Sequence, residues 1–216
     1  MLQYLKPPLE WISDPALVLY LPLWKKDASS FMSGDHIGHI ATRSGALWKP
    51  QGHQFDQVDD VITISHNDKF NITSQLTVIS VFKLDNTTPS TQTFIDKNFE
   101  TGAKTGYSLR IATNIDIGLY FGDGVSFSSM TVSKVVVAGD WYHIAASFNA
   151  GNGYICRNGV LLKSFTDSIT SIATNTDDIT VGSRDASQSP FGGVISEIWL
   201  YNRILDPNEV MNHYLA

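Results

Sequence analysis

The chain has 216 residues, of which 43% are hydrophobic and 17% charged, and its formal net charge is −6. This length and apolar content allow a substantial core, which excludes a disordered chain. The acidic balance argues against binding to nucleic acid phosphates, because that requires a basic surface. Cys156 is the single cysteine, so an intrachain disulfide and a cysteine-based zinc site are both excluded.

The first fifteen residues differ in character from the rest. Residues 1–15 contain three prolines and show no strand or helix periodicity, so we predict an extended N-terminal arm. Apolar arm residues such as Trp11 and Ile12 are expected to be buried, either against their own domain or against a neighbouring subunit. Residues 16–216 are expected to form one domain. The sequence shows no signal peptide and no apolar run long enough to cross a membrane.

From residue 16 onwards the pattern is that of β-strands. Residues 76–84 are nearly all apolar, as expected of a central strand that is buried on both faces. Residues 55–64 are predicted as one strand. Asn158-Gly159 predicts a type I′ hairpin, because both residues tolerate a positive φ. The other predicted strands are 16–21, 92–96, 107–112, 115–121, 130–137, 141–148, 154–157, 160–165, 178–182 and 194–201.

One helix is predicted, at the C-terminus. Asp206, Pro207 and Glu209 form a capping-box pattern, and Val210 and Tyr214 are expected to face the core. Together the elements predict an all-β fold. We expect a two-sheet antiparallel jelly-roll sandwich with an N-terminal extended arm and one short C-terminal helix.

Five segments follow the order and spacing of a known family. They are LVLYLPL at 17–23, FDQVDDVITI at 55–64, LTVISVFKL at 76–84, DWYHIAASF with ICRNGV between 140 and 160, and FGGVISEIWLYNRIL at 191–205. These segments resemble the concanavalin A-like lectin/glucanase superfamily, in particular its laminin-G-like jelly-roll domains. The resemblance implies the fold from about residue 16 to the end. It does not imply one function, because this fold carries many.

Catalysis is not expected. Glucanases that share this fold carry several carboxylates on one strand, where one acts as nucleophile and another as acid. The four glutamates of this chain are far apart: Glu10, Glu100, Glu197 and Glu209. Asp59 and Asp60 are adjacent, and in a strand they would point to opposite faces. The G-x-S-x-G motif of serine hydrolases is absent.

A calcium site at the rim of the sandwich is implied by the resemblance, since many relatives bind calcium there through hard oxygen ligands. The candidate ligands are Asp27, Asp35, Asp56, Asp59, Asp60 and Glu197. Two positions depart from the family pattern, because Gln57 replaces a glycine and Ser196 replaces an aspartate. The alternative is that these acids cap turns. A zinc site is a further alternative, with three candidate ligands: His36, His39 and His53.

A glycan site would need exposed aromatic side chains beside polar groups. The loops offer Trp24, Phe31, Trp48, Phe99, Tyr107 and Phe191. The nearby polar residues are Asn98, Arg110, Asn114, Asp123 and Arg184. The sequence does not show which of these converge, so the ligand-binding residues stay open.

The sequence therefore favours a binding or structural protein. Our first expectation is a decoration or attachment subunit on the surface of a virion or other particle, with a lectin-like domain. The alternative is a free-standing or excised carbohydrate-binding module, with or without calcium. The expected partners are a surface glycan, a protein scaffold docked through residues 1–15, and further copies of the chain. The expected location is extracellular or on the virion surface.

Overall fold

The computed structural model of the chain describes residues 8–85, 90–97, 104–184 and 188–216. In chain order its elements are α1 (Leu9–Ile12), β1 (Leu17–Pro22), β2 (Ser30–Met32), β3 (Ile40–Ser44), β4 (Leu47–Lys49), β5 (Gly52–Asp56), β6 (Val61–Ile64), a 3-10 turn (Asp68–Phe70), β7 (Gln75–Leu84), β8 (Gln92–Asp96), β9 (Tyr107–Ile111), β10 (Ile117–Gly122), β11 (Phe127–Val132), β12 (Trp141–Asn149), β13 (Asn152–Arg157), β14 (Val160–Thr166), β15 (Ile179–Val181), β16 (Gly192–Tyr201) and α2 (Pro207–Leu215). Neither helix in this part of the chain has the length and apolar character needed to cross a bilayer.

The strands form two antiparallel sheets, each with eight strands. The first has the order β14-β13-β12-β7-β16-β5-β4, and the second has the order β11-β10-β9-β8-β15-β6-β3-β2. Strand β16 lies at the centre of the first sheet. One edge of β16 pairs with β7, whereas the other edge is shared between β5 and the remaining strand, β1. The two-sheet antiparallel jelly-roll sandwich predicted from the sequence is confirmed.

The side chains on the two faces of β16 belong to two separate apolar clusters. Ile198 and Leu200 belong to the large cluster that forms the main core. Trp199 and Tyr201 belong to a smaller cluster, and period-2 alternation places them on the opposite, outer face of the first sheet. Trp11 packs against this second cluster. The outer face of the first sheet is therefore covered by the segments before β1 and after β16.

Two local predictions are confirmed in detail. Asn158 and Gly159 join β13 to β14 with φ values of 50° and 77°, as a type I′ turn requires. The Asp206 side chain accepts from the backbone amide of Glu209, and the Glu209 side chain accepts in return from the backbone amide of Asp206. This reciprocal pair begins α2 where the sequence predicted it.

The N-terminal arm is not simply extended. Residues 1–7 lie outside the described residues, but Leu9–Ile12 form a single helical turn. The Ser13 hydroxyl donates to the Leu9 carbonyl at 2.8 Å, which closes this turn. The chain folds back here because Trp11 and Ile12 have an apolar surface to pack against. The arm residues that are described thus pack on their own domain.

The helix α2 turns a different face to the sheet from the one predicted. Val210 is fully buried as expected, but Tyr214 is 43% exposed. His213 is buried in its place, three residues after Val210. The imidazole of His213 therefore packs against the sheet, where we expected the phenol ring of Tyr214.

Candidate functional site

The predicted calcium ligands do not form one cluster. Asp56, Asp59 and Asp60 come together, with one carboxylate oxygen from each lying within 4.8 Å of the others. In the described residues this is the one group of three or more His, Cys, Asp or Glu side chains with such spacing. The prediction that Asp59 and Asp60 point to opposite faces of a strand is wrong, because residues 57–60 form a turn between β5 and β6.

The conformation of this turn explains the convergence. Gln57 has a φ of 67°, which takes the chain out of the strand. Asp60 accepts a hydrogen bond from the backbone amide of Asp56 at 2.8 Å, and Asp56 accepts one from the amide of Val58 at 2.8 Å. Burial raises the pKa of Asp60, and the charges of Asp56 and Asp59 raise it further. Hard carboxylate oxygens held this close are a donor set that suits Ca²⁺.

Asp35 and Asp27 lie outside the group formed by Asp56, Asp59 and Asp60. The Asp35 carboxylate accepts from the backbone amides of Tyr20 and Ile37, both at 2.9 Å. It therefore ties the following loop to β1, which is the turn-capping role left open as the alternative. Asp27 lies 3.5 Å from Nε2 of the fully buried His53.

Glu197 accepts hydrogen bonds from three aromatic side chains. Its carboxylate accepts from the indole nitrogens of Trp24 at 2.7 Å and Trp199 at 2.9 Å, and from the Tyr20 hydroxyl at 3.4 Å. Burial raises the pKa of Glu197, and these hydrogen bonds partly offset the rise. Both oxygens are engaged, so Glu197 fits a structural role better than that of a metal ligand.

The histidine alternative is not supported by the placement of the side chains. The His39 ring lies 3.0 Å from the carbonyl oxygen of Val18, and the His53 ring lies 2.8 Å from that of Leu23. Both rings are buried, whereas His36 is exposed. Across the part of the chain that is described, no metal-spaced group of three includes a histidine.

Most of the loop aromatics predicted as glycan platforms face inwards. Tyr107 and Phe191 are buried in the main core, and Phe31 packs against it. Trp24 and Trp48 are half-buried, and the Trp48 indole donates to the Trp24 carbonyl at 3.1 Å. Three of the residues considered lie outside the described residues: Asn98, Phe99 and Glu100.

The polar residues predicted near those aromatics serve local structure. Arg110 is buried, with its guanidinium 4.1 Å from the centre of the Tyr120 ring. The Asn114 side chain donates to Asp116 at 2.6 Å. Asp123 accepts from two backbone amides in its own turn, and the Arg184 amide donates to the Gln188 carbonyl. None of these contacts assembles a common site.

A cleft of about 460 Å³ lies between the arm and α2, on the outer face of the first sheet. The arm contributes Glu10, Trp11, Ser13, Asp14 and Pro15. The end of β16 and the residues that follow it contribute Tyr201, Arg203, Leu205, Glu209, Asn212 and His213. This cleft was not predicted from the sequence, because its two walls come from opposite ends of the chain.

One side of the cleft is fixed by Arg203, which joins the arm to α2. Its guanidinium contacts Asp14 at 2.8 Å and both carboxylate oxygens of Glu209, at 2.8 and 3.1 Å. Burial alone would lower the pKa of Arg203, but the hydrogen bonds that it donates to Glu209 and Asp14 raise it above its ordinary value. The guanidinium is therefore charged, and two carboxylates compensate it.

The other side is fixed by ring stacking. The Trp11 indole lies on the His213 imidazole, with centroids 4.4 Å apart and planes 4° apart. The His213 and Trp199 rings are nearly perpendicular, with centroids 4.6 Å apart, and Nδ1 of His213 lies 3.3 Å from Nε2 of His143. Burial lowers the pKa of His213 well below its usual value, and the neighbouring His143 lowers it further. Both imidazoles are therefore neutral at pH 7.

Three polar side chains in the cleft have no partner among the described residues. The carboxylate of Glu10, the amide of Asn212 and the hydroxyl of Tyr201 line the cleft, and none makes a hydrogen bond or ion pair there. Glu10 and Asn212 are exposed, whereas Tyr201 is only 2% exposed. The cleft thus offers an acceptor, an amide that can donate and accept, and a hydroxyl to a ligand.

This arrangement suits binding better than glycoside hydrolysis. Most glycoside hydrolases use two carboxyl groups that flank the bond to be cleaved. In the cleft Arg203 engages Asp14 and Glu209, so Glu10 is the one cleft carboxylate without a partner in the described chain.

Comparison with solved structures identifies the same fold in proteins of other kinds. The binding domain of botulinum neurotoxin serotype G superposes with a TM-score of 0.75 at 16% identity, over 92% of this chain and 50% of that one. The binding domain of botulinum neurotoxin DC gives 0.73 at 14% identity, over 93% and 51%. A sialidase from Trypanosoma rangeli gives 0.71 at 16% identity, over 94% and 33%.

The chain thus spans about half the length of the neurotoxin domains and about a third of the sialidase. At these identities the likeness shows the fold alone. No curated protein matches the sequence. Residues 56–211, however, match a laminin-G-like family described as the concanavalin A-like lectin/glucanases superfamily. The match confirms the resemblance seen in the sequence, and this chain belongs to that superfamily.

Proposed function

We propose that this chain is a non-catalytic, carbohydrate-binding module and that the cleft between α1 and α2 holds the sugar. The observation that carries the proposal is the set of three unpartnered polar groups, Glu10, Asn212 and Tyr201, in a cleft that also presents the Trp11 ring. Sugars have hydroxyls that donate and accept hydrogen bonds, and apolar C–H faces that pack on aromatic rings.

The dimensions of the cleft agree with this proposal. Its volume of about 460 Å³ falls in the range of small-ligand sites, which is roughly 300–1,000 Å³. The stacking of Trp11 on His213 and the ion pair between Arg203 and Asp14 hold both walls in place without a ligand. A site that is already formed loses less conformational entropy on binding.

The solved structures give independent support for the class of ligand. One neurotoxin binding domain was solved in complex with a sialylated compound, and another structure reports that cell entry of serotype C depends on two ganglioside molecules. A further neurotoxin binding domain was solved with rat synaptotagmin II, which is a protein partner. Those ligands belong to those proteins, and for this chain they support a role in surface recognition.

The setting we propose is attachment of a larger protein or particle to a glycan-bearing surface outside the cell. Docking on a scaffold through the whole arm is less favoured, because residues 8–15 pack on their own domain and form one wall of the cleft. A carbohydrate-binding module is therefore the broader proposal, and presentation on a virion surface is its narrower form.

Calcium remains a proposal, with a smaller ligand set. We propose Asp56, Asp59 and Asp60 as the residues that would hold the ion. The convergence of their oxygens within 4.8 Å supports this assignment, whereas Asp35 and Glu197 do not belong to that group. Bound calcium would stabilise the turn between β5 and β6 by compensating three neighbouring carboxylates.

A glycan array tests the function with matched variants. The intact chain should bind a defined set of glycans, and Asn212→Ala should weaken binding at least tenfold. Asn208→Ala is the control, because Asn208 is an exposed asparagine of the same helix that does not line the cleft. Equal binding by both variants would move the site elsewhere, and an array with no bound glycan would count against a lectin.

A further inference from the structure

We infer that the cleft recognises a sugar that carries a free amino group, such as an unacetylated hexosamine, and discriminates against sialylated glycans. The inference rests on the proposed function and names the chemical class of its ligand. It comes from the balance of charges inside the cleft and from the side chains that remain unpaired there.

The charge balance of the cleft is negative. Glu10, Asp14 and Glu209 supply three carboxylates, and Arg203 supplies the one guanidinium among the lining residues. Both Asp14 and Glu209 contact that guanidinium, at 2.8 Å each. An arginine that already holds two carboxylates is not available to a third, so the cleft lacks the bidentate contact that would hold a sialic acid carboxylate.

The remaining carboxylate is available to a cation. Glu10 is exposed and has no partner in the described chain, and the Trp11 ring beside it in sequence lines the same cleft. A cleft carboxylate without a partner is suited to an ammonium group, because it can pair with the charge of that group. His213 is neutral, so it adds no opposing charge.

A buried polar group completes the site for a sugar. The Tyr201 side chain is 98% buried, lines the cleft and leaves its hydroxyl without a partner among the described residues. Burial raises the pKa of Tyr201, so the hydroxyl keeps its proton and can donate to a ring hydroxyl of the ligand. A lysine side chain of a partner protein would satisfy Glu10 but would leave Tyr201 and Asn212 without hydrogen bonds.

The test compares three matched ligands on the intact chain by isothermal titration calorimetry. They are a glucosamine oligomer, the same oligomer N-acetylated, and sialyllactose. We expect the glucosamine oligomer to bind at least tenfold more tightly than the acetylated form, and sialyllactose most weakly. The preference should shrink as salt is raised, because charge pairing at an exposed carboxylate is screened.

The variant Glu10→Gln should remove the preference for the glucosamine oligomer, while the uncharged N-acetylated oligomer should still bind. Asp68→Asn is the control, because Asp68 is a fully exposed acid outside the cleft and should leave the preference unchanged. Equal affinity for amine and acetylated oligomers, or tighter binding of sialyllactose, would overturn the inference and leave the proposed function standing. Binding of none of the three would also overturn the inference, whereas the glycan array decides the proposed function. Capture of a lysine-rich peptide alone would assign the cleft to a protein partner.

Discussion

The Trp11 indole and the His213 imidazole lie face to face, 4.4 Å apart, and so join two segments that are about two hundred residues apart in the chain. Neither segment belongs to the sandwich proper. Together they cover the aromatic outer face of β16 and create the walls of the cleft. The candidate site therefore depends on a contact between two residues that lie outside the stretch matched by the family, residues 56–211.

Removal of this contact should detach the arm without unfolding the sandwich. We expect Trp11→Ala to lower the free energy of unfolding by about 2 kcal/mol, since a half-buried aromatic loses its packing. Limited proteolysis should then cut within residues 8–16, where the parent protein resists. Trp48→Ala removes another half-buried indole, from β4, and should leave the arm protected. Protection of the arm in Trp11→Ala would mean that Asp14 and Arg203 suffice to hold it.

The paired imidazoles should make the protein sensitive to acid. Burial lowers the pKa of His143 to about 4, from an ordinary value of 6.5, and the pKa of His213 also falls. Above pH 6.5 the two imidazoles are neutral in both the folded and the unfolded chain, so they leave the free energy of unfolding unchanged. Between pH 6.5 and 4 the unfolded chain binds protons that the native state does not, so the free energy of unfolding falls, by about 3 kcal/mol from His143 alone.

Urea unfolding at pH 7 and pH 4.5 measures this loss. His213→Phe keeps a ring against Trp11 but cannot bind a proton, so its loss of stability on acidification should be smaller. His36→Ala changes an exposed histidine and should show the same loss as the parent protein. A loss that is unchanged in His213→Phe would assign the acid sensitivity to other groups.

The sequence predicted the local features that depend on few residues. The hairpin at Asn158-Gly159 needs only two residues that tolerate a positive φ, and the start of α2 needs only the capping box from Asp206 to Glu209. The strand predicted over 55–64 failed at Gln57, because a residue other than glycine with a φ of 67° has no clear signal in a single sequence.

The cleft could not have been predicted in the same way. Its walls depend on where a one-turn helix and α2 meet over β16, which is a long-range contact with no sequence period. One signal was available for its aromatic wall. The capping box fixes the start of α2, and His213 follows the buried Val210 by three residues, which places the two on one face.

Replacement of the buried acid Glu197 should destabilise the first sheet at its central strand, β16. The carboxylate accepts from Trp24, Trp199 and Tyr20, whereas a glutamine would turn an NH₂ group towards one of these donors. We expect Glu197→Gln to lower the free energy of unfolding by about 2 kcal/mol, because a buried donor loses its acceptor. Tryptophan emission should shift with it. Glu10→Gln, at an exposed site, should change neither, and a stable Glu197→Gln would show that the acid is already protonated in the fold.

Calcium binding at the turn between β5 and β6 can be distinguished from the structural role of acidic residues elsewhere in the fold. We expect calcium to raise the melting temperature of the parent protein and a chelator to reverse the rise, since an ion that binds only the native state stabilises it. Asp59→Asn should abolish the rise, because it removes one of the three converging carboxylates. Asp35→Asn should lower the melting temperature with or without calcium but keep the rise, since Asp35 caps backbone amides. A rise that survives in Asp59→Asn, or is lost only in Asp35→Asn, would move the ion away from the turn between β5 and β6. Loss in Asp35→Asn alone would place it in the loop between β2 and β3.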